Sequence, residues 1–460
     1  MMLHHKTVAA LVLATSAVAL PTSAAPEVVA SGTITLGGTP ISGSQGPSLQ
    51  ANQQPLVVAG TGGSGQLQVL DGGFAQVNFV DLGAEGVAVI GVDGIGSQLI
   101  SQDVVSRRAN IAITNGGTWL ASDFRHDVDR STTILVDGAG STLSVFNSLE
   151  LAIGQSGGVG ILNVVNGGTV SAGDFEIGAS GGGPLGVVRV AGAGSRLDAE
   201  FNTVVETSSS LTIADNGVLS ADQLEVFGTV MLDGGIITGT ASNSTPEIRV
   251  GMFPTPGRLT GSGTVQGRLF LQNASIVQVG PAQSLDFDAP FDQHFIGGTV
   301  VVDGGSISFD EATGDVTPSG SIVSSGGVLS ADQWLFGGKL QALGGGLTEL
   351  FGNAVLSSAG NNPASIQVAE SSQLRVYDTL SNNDVVDVRP GSTATFLDAV
   401  FGGGSYVGGG AFIFLGTLAP GNSPAEVSFQ GDVTLGTSST LDIELAGLTN
   451  GSFDRLDVSG

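Results

Sequence analysis

Two short phrases alternate along this chain at a nearly fixed interval. The first, Gly-Gly after a small polar residue, begins at Asp71 and at Asn115, and the second, Asp-Gly-x-Gly-Ser-x-Leu, begins at Asp93 and at Asp137. Successive starting positions are 22 residues apart. A constant period of this size indicates one structural unit stacked on copies of itself. The sequence therefore predicts a solenoid rather than a globule with one compact core.

The segment from Gly160 to Gly178 shows what one repeat contains. Leu162–Val164, Val170–Ala172 and Phe175–Ile177 each alternate apolar with polar or small residues, which is typical of short strands. Turn-forming Gly, Asn and Asp residues separate these strands. The leucine-rich-repeat spacing is missing, and glycine interrupts almost every window long enough for a helix. The predicted fold is all-β: a right-handed parallel β-helix, or β-solenoid, with about 22 residues per rung.

The period and its interruptions divide the chain into segments. We expect an N-terminal cap or irregular segment at 25–58 and a regular β-helix at 59–240. Five prolines predict irregular, loop-rich rungs at 241–298, followed by β-helix again at 299–415 and a distinct C-terminal unit at 416–460. If most of the mature chain keeps the period, roughly 18 to 20 rungs would form a rod on the order of 90 Å long.

Composition limits the class of protein and its partners. With 41% hydrophobic and 12% charged residues, the chain buries a core despite its 74 glycines. Cysteine is absent, so no disulfide contributes to stability. The formal net charge of −27 repels phosphate backbones, and we expect no nucleic-acid partner.

The first residues are typical of a secretory signal peptide at 1–24. His4, His5 and Lys6 form a basic start, the stretch 8–20 is apolar, and small residues precede a predicted cleavage between Ala24 and Ala25. We therefore expect a secreted or cell-surface protein.

Three groups of charged residues are candidates for chemistry: Asp123, Arg125, His126, Asp127, Asp129 and Arg130; Asp310, Glu311 and Asp315; and Asp286, Asp288 and Asp292 around His294. The first lies within an ordinary 22-residue interval and is interpreted as a solvated rung face. The second could chelate Ca²⁺, but its spacing does not match an EF-hand and the Gly-Gly-x-Gly-x-Asp nonapeptide of calcium-binding β-rolls is absent, so an exposed acidic turn is expected. In the third, alternate spacing puts Asp286 and Asp288 on one outer face. We predict no catalytic, cofactor-binding or metal site.

The C-terminal tenth of the chain carries a resemblance to a known group of proteins. Gly416–Pro424, Ser439–Leu445 and Phe453–Gly460 resemble the distal passenger unit of bacterial autotransporters and related β-helical surface proteins, some of which end in a PEP-CTERM sorting signal. The resemblance implies a Gram-negative, outer-membrane-associated surface protein. It also implies that the unit at 416–460 is incomplete and that a missing C-terminal region provides the anchor.

Three functions follow as hypotheses. The first is a non-catalytic structural or adhesive stalk, with glycans or host and neighbouring cell surfaces as partners. The second is a carbohydrate-active β-helix enzyme, a polysaccharide lyase or hydrolase acting through acids such as Asp127 or Asp310. The third is an extracellular-matrix or exopolysaccharide-associated component.

Overall fold

The computed structural model describes residues 25–460 except 61–62, 128–129, 154–157, 180–182, 184, 241–244, 253, 290–292, 359–362, 422–423, 425, 446, 448, 450 and 451. Secondary structure in this part of the chain consists of strands, with no helix. The predicted signal peptide, including Ala24, lies outside the described residues.

The strands of the N-terminal half are β1 (Glu27–Gly32), β2 (Ile34–Leu36), β3 (Thr39–Pro40), β4 (Gly43–Ser44), β5 (Ser48–Val58), β6 (Gly65–Leu70), β7 (Phe74–Leu82), β8 (Ala88–Asp93), β9 (Gln98–Ile100), β10 (Asp103–Ser106), β11 (Ala109–Thr114), β12 (Thr118–Ala121), β13 (Asp123–Asp127), β14 (Thr132–Asp137), β15 (Thr142–Ile153), β16 (Val159–Val165), β17 (Thr169–Ile177), β18 (Leu185–Ala191), β19 (Arg196–Ala199), β20 (Asn202–Val205), β21 (Ser210–Ala214), β22 (Val218–Ser220), β23 (Gln223–Val226) and β24 (Thr229–Thr238).

The strands of the C-terminal half are β25 (Glu247–Val250), β26 (Arg258–Val265), β27 (Arg268–Leu271), β28 (Ile276–Val279), β29 (Ser284–Asp288), β30 (Gln293–Ile296), β31 (Thr299–Val302), β32 (Ser306–Val316), β33 (Ser321–Ser324), β34 (Gly327–Phe336), β35 (Lys339–Ala342), β36 (Leu347–Leu356), β37 (Ser365–Val368), β38 (Gln373–Val376), β39 (Leu380–Asn382), β40 (Val385–Val388), β41 (Thr393–Phe396), β42 (Val400–Gly402), β43 (Ser405–Val407), β44 (Ala411–Phe414), β45 (Thr417–Pro420), β46 (Glu426–Phe429), β47 (Asp432–Leu435), β48 (Thr440–Leu441) and β49 (Arg455–Val458).

Each rung contributes one strand to each of three parallel ladders, which we call sheets A, B and C. In one rung, β11 lies in sheet A, β12 in sheet B and β13 in sheet C, and they pair in register with β14 and with the two halves of β15 in the next rung. Long strands such as β15, β17 and β32 bend at the corner between sheets B and C. The result is a parallel β-solenoid of about 16 turns with about 23 residues between rungs, which confirms the predicted fold class.

The two alternating sequence phrases form the corner between sheets A and B. The Ser97 hydroxyl in the longer turn donates to the Asp93 carbonyl at 2.5 Å and accepts a hydrogen bond from the Gly72 N–H of the preceding rung at 2.9 Å. The Asp93 carboxylate in turn accepts from the Asn115 side chain of the following rung at 2.6 Å. A longer turn therefore binds the shorter turns on both sides, which explains why the two phrases alternate.

The shorter turn also shows why its glycines are needed. Gly116 has a φ of +86°, in the left-handed region that glycine favours. At Gly117, an added Cβ would lie 2.2 Å from the carbonyl oxygen of Val92 in the rung beneath. The first glycine permits the turn, and the second permits close stacking.

The interior of the solenoid is one continuous apolar core. Inward-facing side chains from Val28 to Phe429 belong to a single cluster of buried residues. Near the C-terminal end the core becomes aromatic: Tyr406 stacks on Phe429 with ring centroids 4.3 Å apart, and Phe396 stacks on Phe414 at 5.0 Å. Because no rung can bury its own apolar residues, the stack is the smallest unit that has a core.

The N-terminal residues pair in a different way from the rungs. Strand β1 is antiparallel to β6, and β2 is antiparallel to β5. Val28, Ala30 and Ile34 of this segment are buried against the core. Because these residues form antiparallel pairs and several rungs exceed 22 residues, the described chain has about 16 turns, fewer than the 18 to 20 expected.

Residues 241–298 keep the pairing of their neighbours despite their prolines. Strands β25 and β27 continue sheet C, and β28 continues sheet A into β31. Pro246, Pro254, Pro256 and Pro281 all lie between strands, where a missing N–H breaks no ladder.

Candidate functional site

The charged group at 123–130 is divided by the alternation of strand β13. Phe124 and His126 are buried in the core, whereas Asp123 and Arg125 lie on the outer side of sheet C. The Asp127 side chain and Asp129 lie outside the described part of the structure. The structure therefore places the described members of this group on both sides of sheet C, and it brings His126 into contact with Arg130.

His126 and Arg130 have a structural role. The Nε2 of His126 lies 2.9 Å from the Arg130 carbonyl oxygen. The Arg130 Nη1 donates to the Glu85 carbonyl at 3.0 Å. Both contacts stabilise the loop that connects sheet C to sheet A of the next rung.

The second group, Asp310, Glu311 and Asp315, is spread over two sheets. Asp310 and Glu311 lie at the bend of β32, where Glu311 has a φ of +51°. Asp315 lies beyond the bend on the outer side of sheet C, where its carboxylate accepts a hydrogen bond from the Gln293 side chain at 2.8 Å. These residues do not surround one position as calcium ligands would.

The third group is divided between the outside and the inside of the solenoid. Asp286 and Asp288 face outward, as alternate spacing predicts, while His294 is buried in the core. The His294 Nδ1 accepts a hydrogen bond from the Leu269 N–H at 3.1 Å, and its ring centroid lies 4.7 Å from that of Phe309. Burial, with a smaller contribution from Arg268, lowers the pKa of His294 to about 4. Asp292 lies outside the described residues.

Stacking brings together acids from two of the predicted groups. Asp288 pairs in register with Asp310 of the next rung, 22 residues later, and Asp286 lies beside them. Burial raises the pKa of Asp286 to about 6, with further contributions from the charges of Asp310 and Asp288 and from a hydrogen bond with Asp310. The Asp286 Oδ1 is buried without a hydrogen-bond partner among the described residues. We call Asp286, Asp288 and Asp310 the acidic patch.

The acidic patch can hold a proton near neutral pH, and a carboxyl group with this pKa suits general acid–base chemistry. However, inverting glycosidases keep their two carboxyl groups about 6.5–9.5 Å apart to admit a water molecule. Asp288 and Asp310 are paired in register on adjacent strands, whose spacing of about 4.8 Å is shorter than this separation. In the described part of the chain, no three His, Asp or Glu side chains converge as ligands of a metal ion.

A ladder of arginine and aromatic side chains on sheet C was missed by the sequence reasoning. Phe270 and Phe295 stack on the outer face with ring centroids 5.2 Å apart, and the Arg268 guanidinium lies 4.6 Å from the Phe270 ring centroid. Glu247 accepts hydrogen bonds from Arg249 at 2.7 Å and from Arg268 at 2.6 Å. Burial raises the pKa of Glu247, but these two arginines outweigh burial, and the net pKa is lowered. The 25-residue interval between Phe270 and Phe295 is the sequence signal for this ladder.

Towards the N-terminal end, the outer face of sheet C carries stacked carboxylates. Glu150 pairs in register with Glu176, and Glu206 follows at the end of the next rung. Burial raises the pKa of Glu176, and the charges of Glu150 and Glu206 raise it further. This face is therefore acidic at 150–206 and carries arginines at 249–268.

A groove of about 370 Å³ crosses the outer face of sheet B. Its floor is a register column of short polar side chains, Ser144, Ser171, Asp198 and Ser220. Phe146, which is 81% exposed, lies at one side, at the corner between sheets B and C. We call this feature the sheet B groove.

The charges on the floor of the sheet B groove are balanced. Arg196 binds Asp198 through two nitrogens, Nη2 at 2.8 Å and Nε at 3.2 Å from Oδ1. The Ser171 hydroxyl donates to the Ser144 hydroxyl at 3.0 Å. The floor is thus polar, ordered by its own hydrogen bonds, and close to neutral.

No family model matches the chain, and no curated protein matches it. Among the described residues, no helix is long and apolar enough to span a bilayer.

Proposed function

We propose that this protein is a secreted or cell-surface structural protein, a non-catalytic stalk with an adhesive surface. The observation that carries the proposal is the single core running from Val28 to Phe429, which makes one elongated body from the chain between these residues. With about 16 turns at a strand spacing of about 4.8 Å, the stack is about 80 Å long. Length of this kind suits holding a binding surface away from a membrane.

Location and partners belong to the same proposal. The signal-like segment at 1–24 and the passenger-like unit at 416–460 support export and a place at a Gram-negative outer surface. The net charge of −27 argues against nucleic acid as a partner. Glycans and the surfaces of host or neighbouring cells are the proposed partners, with many weak contacts along the rod adding up to avidity. In an alternative form of this proposal, the partner is a secreted polysaccharide and the protein is a component of the extracellular matrix.

The test uses the full chain expressed with its N-terminal segment in a Gram-negative host. Protease added to intact cells should degrade the protein, and purified protein coupled to beads should bind cells or extracellular polysaccharide. Protein that stays inside intact cells, or beads that bind neither target, would contradict the proposal.

A second candidate function, carbohydrate hydrolysis or lyase activity, is favoured by the acidic patch. Asp286 has a pKa of about 6 and lies beside Asp310, so that it can exchange a proton near neutral pH. Purified protein would be incubated with neutral and acidic polysaccharides, with reducing-end and unsaturated-product assays. Asp332→Asn, at an exposed position of the next rung, is the control. Turnover that is lost in both Asp286→Asn and Asp310→Asn but kept in Asp332→Asn would show that the protein is an enzyme and would contradict the non-catalytic stalk. We expect no turnover.

A further inference from the structure

The sheet B groove is lined by an exposed aromatic side chain, Phe146. At the corner between sheets B and C, the residues that directly follow the register column of Ala121, Val145, Ala172 and Ala199 are Ser122, Phe146, Gly173 and Glu200, and Phe201 comes one position later. Phe146 is 81% exposed and Phe201 is 52% exposed. The Phe201 N–H donates to the Gly173 carbonyl at 2.9 Å, so the two phenylalanines lie one rung to either side of Gly173.

These two aromatic rings are not needed by the core. The corner residues Val145, which precedes Phe146, and Ala199, two positions before Phe201, already face inward and are buried. Large apolar side chains exposed at the edge of a polar groove are characteristic of binding surfaces. The exposure of Phe146 is therefore the observation that requires an explanation beyond folding.

The chemistry of the floor selects the class of ligand. Ser144 and Ser171 present hydroxyl groups, and the planar Arg196–Asp198 pair offers donors and acceptors in one plane. Such groups hydrogen-bond sugar hydroxyls, while an aromatic ring packs against the C–H face of a sugar. Because Arg196 balances Asp198 and exposed Glu200 lies at the rim, an anionic sugar gains no favourable charge here.

We propose that the sheet B groove is a binding site for a neutral oligosaccharide lying along the rod axis, with Phe146 as the aromatic contact and Arg196 and Asp198 as the polar contacts. The floor column runs from rung to rung, so a linear chain of sugars meets a new polar side chain at each step. This inference rests on the proposed adhesive function and names the ligand class of one surface.

The experiment is calorimetric titration of the full chain with neutral hexasaccharides, β-1,4- and β-1,3-linked glucans and α-1,4-linked glucan, and with an oligogalacturonate. We expect at least one neutral hexasaccharide to bind. Phe146→Ala should weaken that binding by about tenfold, the size expected for losing a central aromatic contact. Asp198→Asn should weaken it as well.

The matched control is Phe401→Ala, which removes an aromatic side chain 41% exposed on the outer face of sheet C. It should bind the sugar as tightly as the original chain. Thermal unfolding of Phe146→Ala should match the original chain, because an exposed ring contributes little to the core.

Unchanged affinity in Phe146→Ala, or oligogalacturonate binding tighter than any neutral sugar, would overturn the proposal. If beads carrying the protein bind cells but no neutral hexasaccharide binds the groove, this inference fails while the adhesive function stands. If neither occurs, both fail.

Discussion

The hydroxyl of Ser141 accepts a hydrogen bond from the Gly116 N–H at 3.0 Å, across the boundary between two rungs. The same hydroxyl donates to the Asp137 carbonyl at 2.7 Å within its own turn. Ser97 and Ser195 make equivalent bonds. Their hydroxyls accept from the Gly72 N–H at 2.9 Å and from the Gly167 N–H at 3.0 Å, and each donates to a carbonyl of its own turn. In these three alternating turns, a fully buried serine thus joins neighbouring rungs at this corner.

Replacing Ser141 by alanine tests this link. The substitution leaves the half-buried Gly116 N–H without its acceptor, which should lower stability by about 0.5–1.5 kcal/mol. Hydrogen exchange should show faster exchange at the Gly116 amide, while exposed Ser319→Ala should leave that amide protected. Full protection of Gly116 in Ser141→Ala would show that the hydroxyl is dispensable.

Gly117 and Gly91 offer a matched pair for the stacking argument. An added Cβ at Gly117 would meet the Val92 carbonyl oxygen at 2.2 Å, whereas at Gly91 its nearest neighbour is a Gln68 side-chain carbon at 3.7 Å. Gly117→Ala should therefore destabilise the protein by about 1–3 kcal/mol through overpacking. Gly91→Ala should be neutral or slightly stabilising. Urea unfolding followed by circular dichroism measures both, and equal midpoints for the two variants would contradict close stacking at Gly117.

The fold was predictable from the sequence because the turn residues of one rung hydrogen-bond those of the next, so the turn motifs recur at the length of one rung. Asp93 and Asn115 stand 22 residues apart because their side chains touch in adjacent rungs. The number of rungs was overestimated, since nothing local distinguishes a parallel rung from the antiparallel pairing of β1 with β6.

The candidate sites were less predictable for the same physical reason. Asp286 and Asp310 belong to different sequence groups, and only the register of β29 on β32 places them together. Strand alternation likewise separates His294 from Asp286, although the two are close in sequence. Residues on an outer face become neighbours through stacking, so their proximity depends on the exact length of every turn between them.

The acidic patch should make stability depend on pH. Asp286 has a pKa of about 6 in the folded chain against 3.8 as its ordinary value. Between these values the folded state binds more protons than the unfolded state, so the contribution of Asp286 to stability falls as pH rises from 4 to 6. Asp286→Asn removes the charge, so its melting temperature relative to the original chain should rise over this interval and stay higher at pH above 6.

Asp332→Asn, an exposed position on the following rung, is the control for this series and should follow the original chain at each pH. If the difference in melting temperature between the original chain and Asp286→Asn is the same at every pH, the carboxyl group of Asp286 does not have the raised pKa.

His294 should give stability the opposite dependence on pH. Its pKa is about 4 in the folded chain against an ordinary value of 6.5, so the unfolded state binds more protons between these values and acidification destabilises the fold. At neutral pH, His294→Leu leaves the Leu269 N–H without an acceptor and should cost about 1–3 kcal/mol. This difference should shrink as the pH falls towards 4, because only the original chain loses stability there. Denaturant unfolding across this range measures it, and a difference independent of pH would contradict a neutral, buried His294.

The elongated stack is tested most directly by small-angle scattering on two proteins, residues 25–460 and the same chain lacking residues 94–137. The deletion removes one copy of the two-turn repeat and places Ser141 opposite Gly72, where Ser97 stands in the original chain. We predict a rod with a maximum dimension of about 80 Å, which the deletion shortens by about 10 Å without loss of strand content. A compact particle with a radius of gyration of about 22 Å and a near-spherical profile, or a deletion variant that fails to fold, would contradict the account.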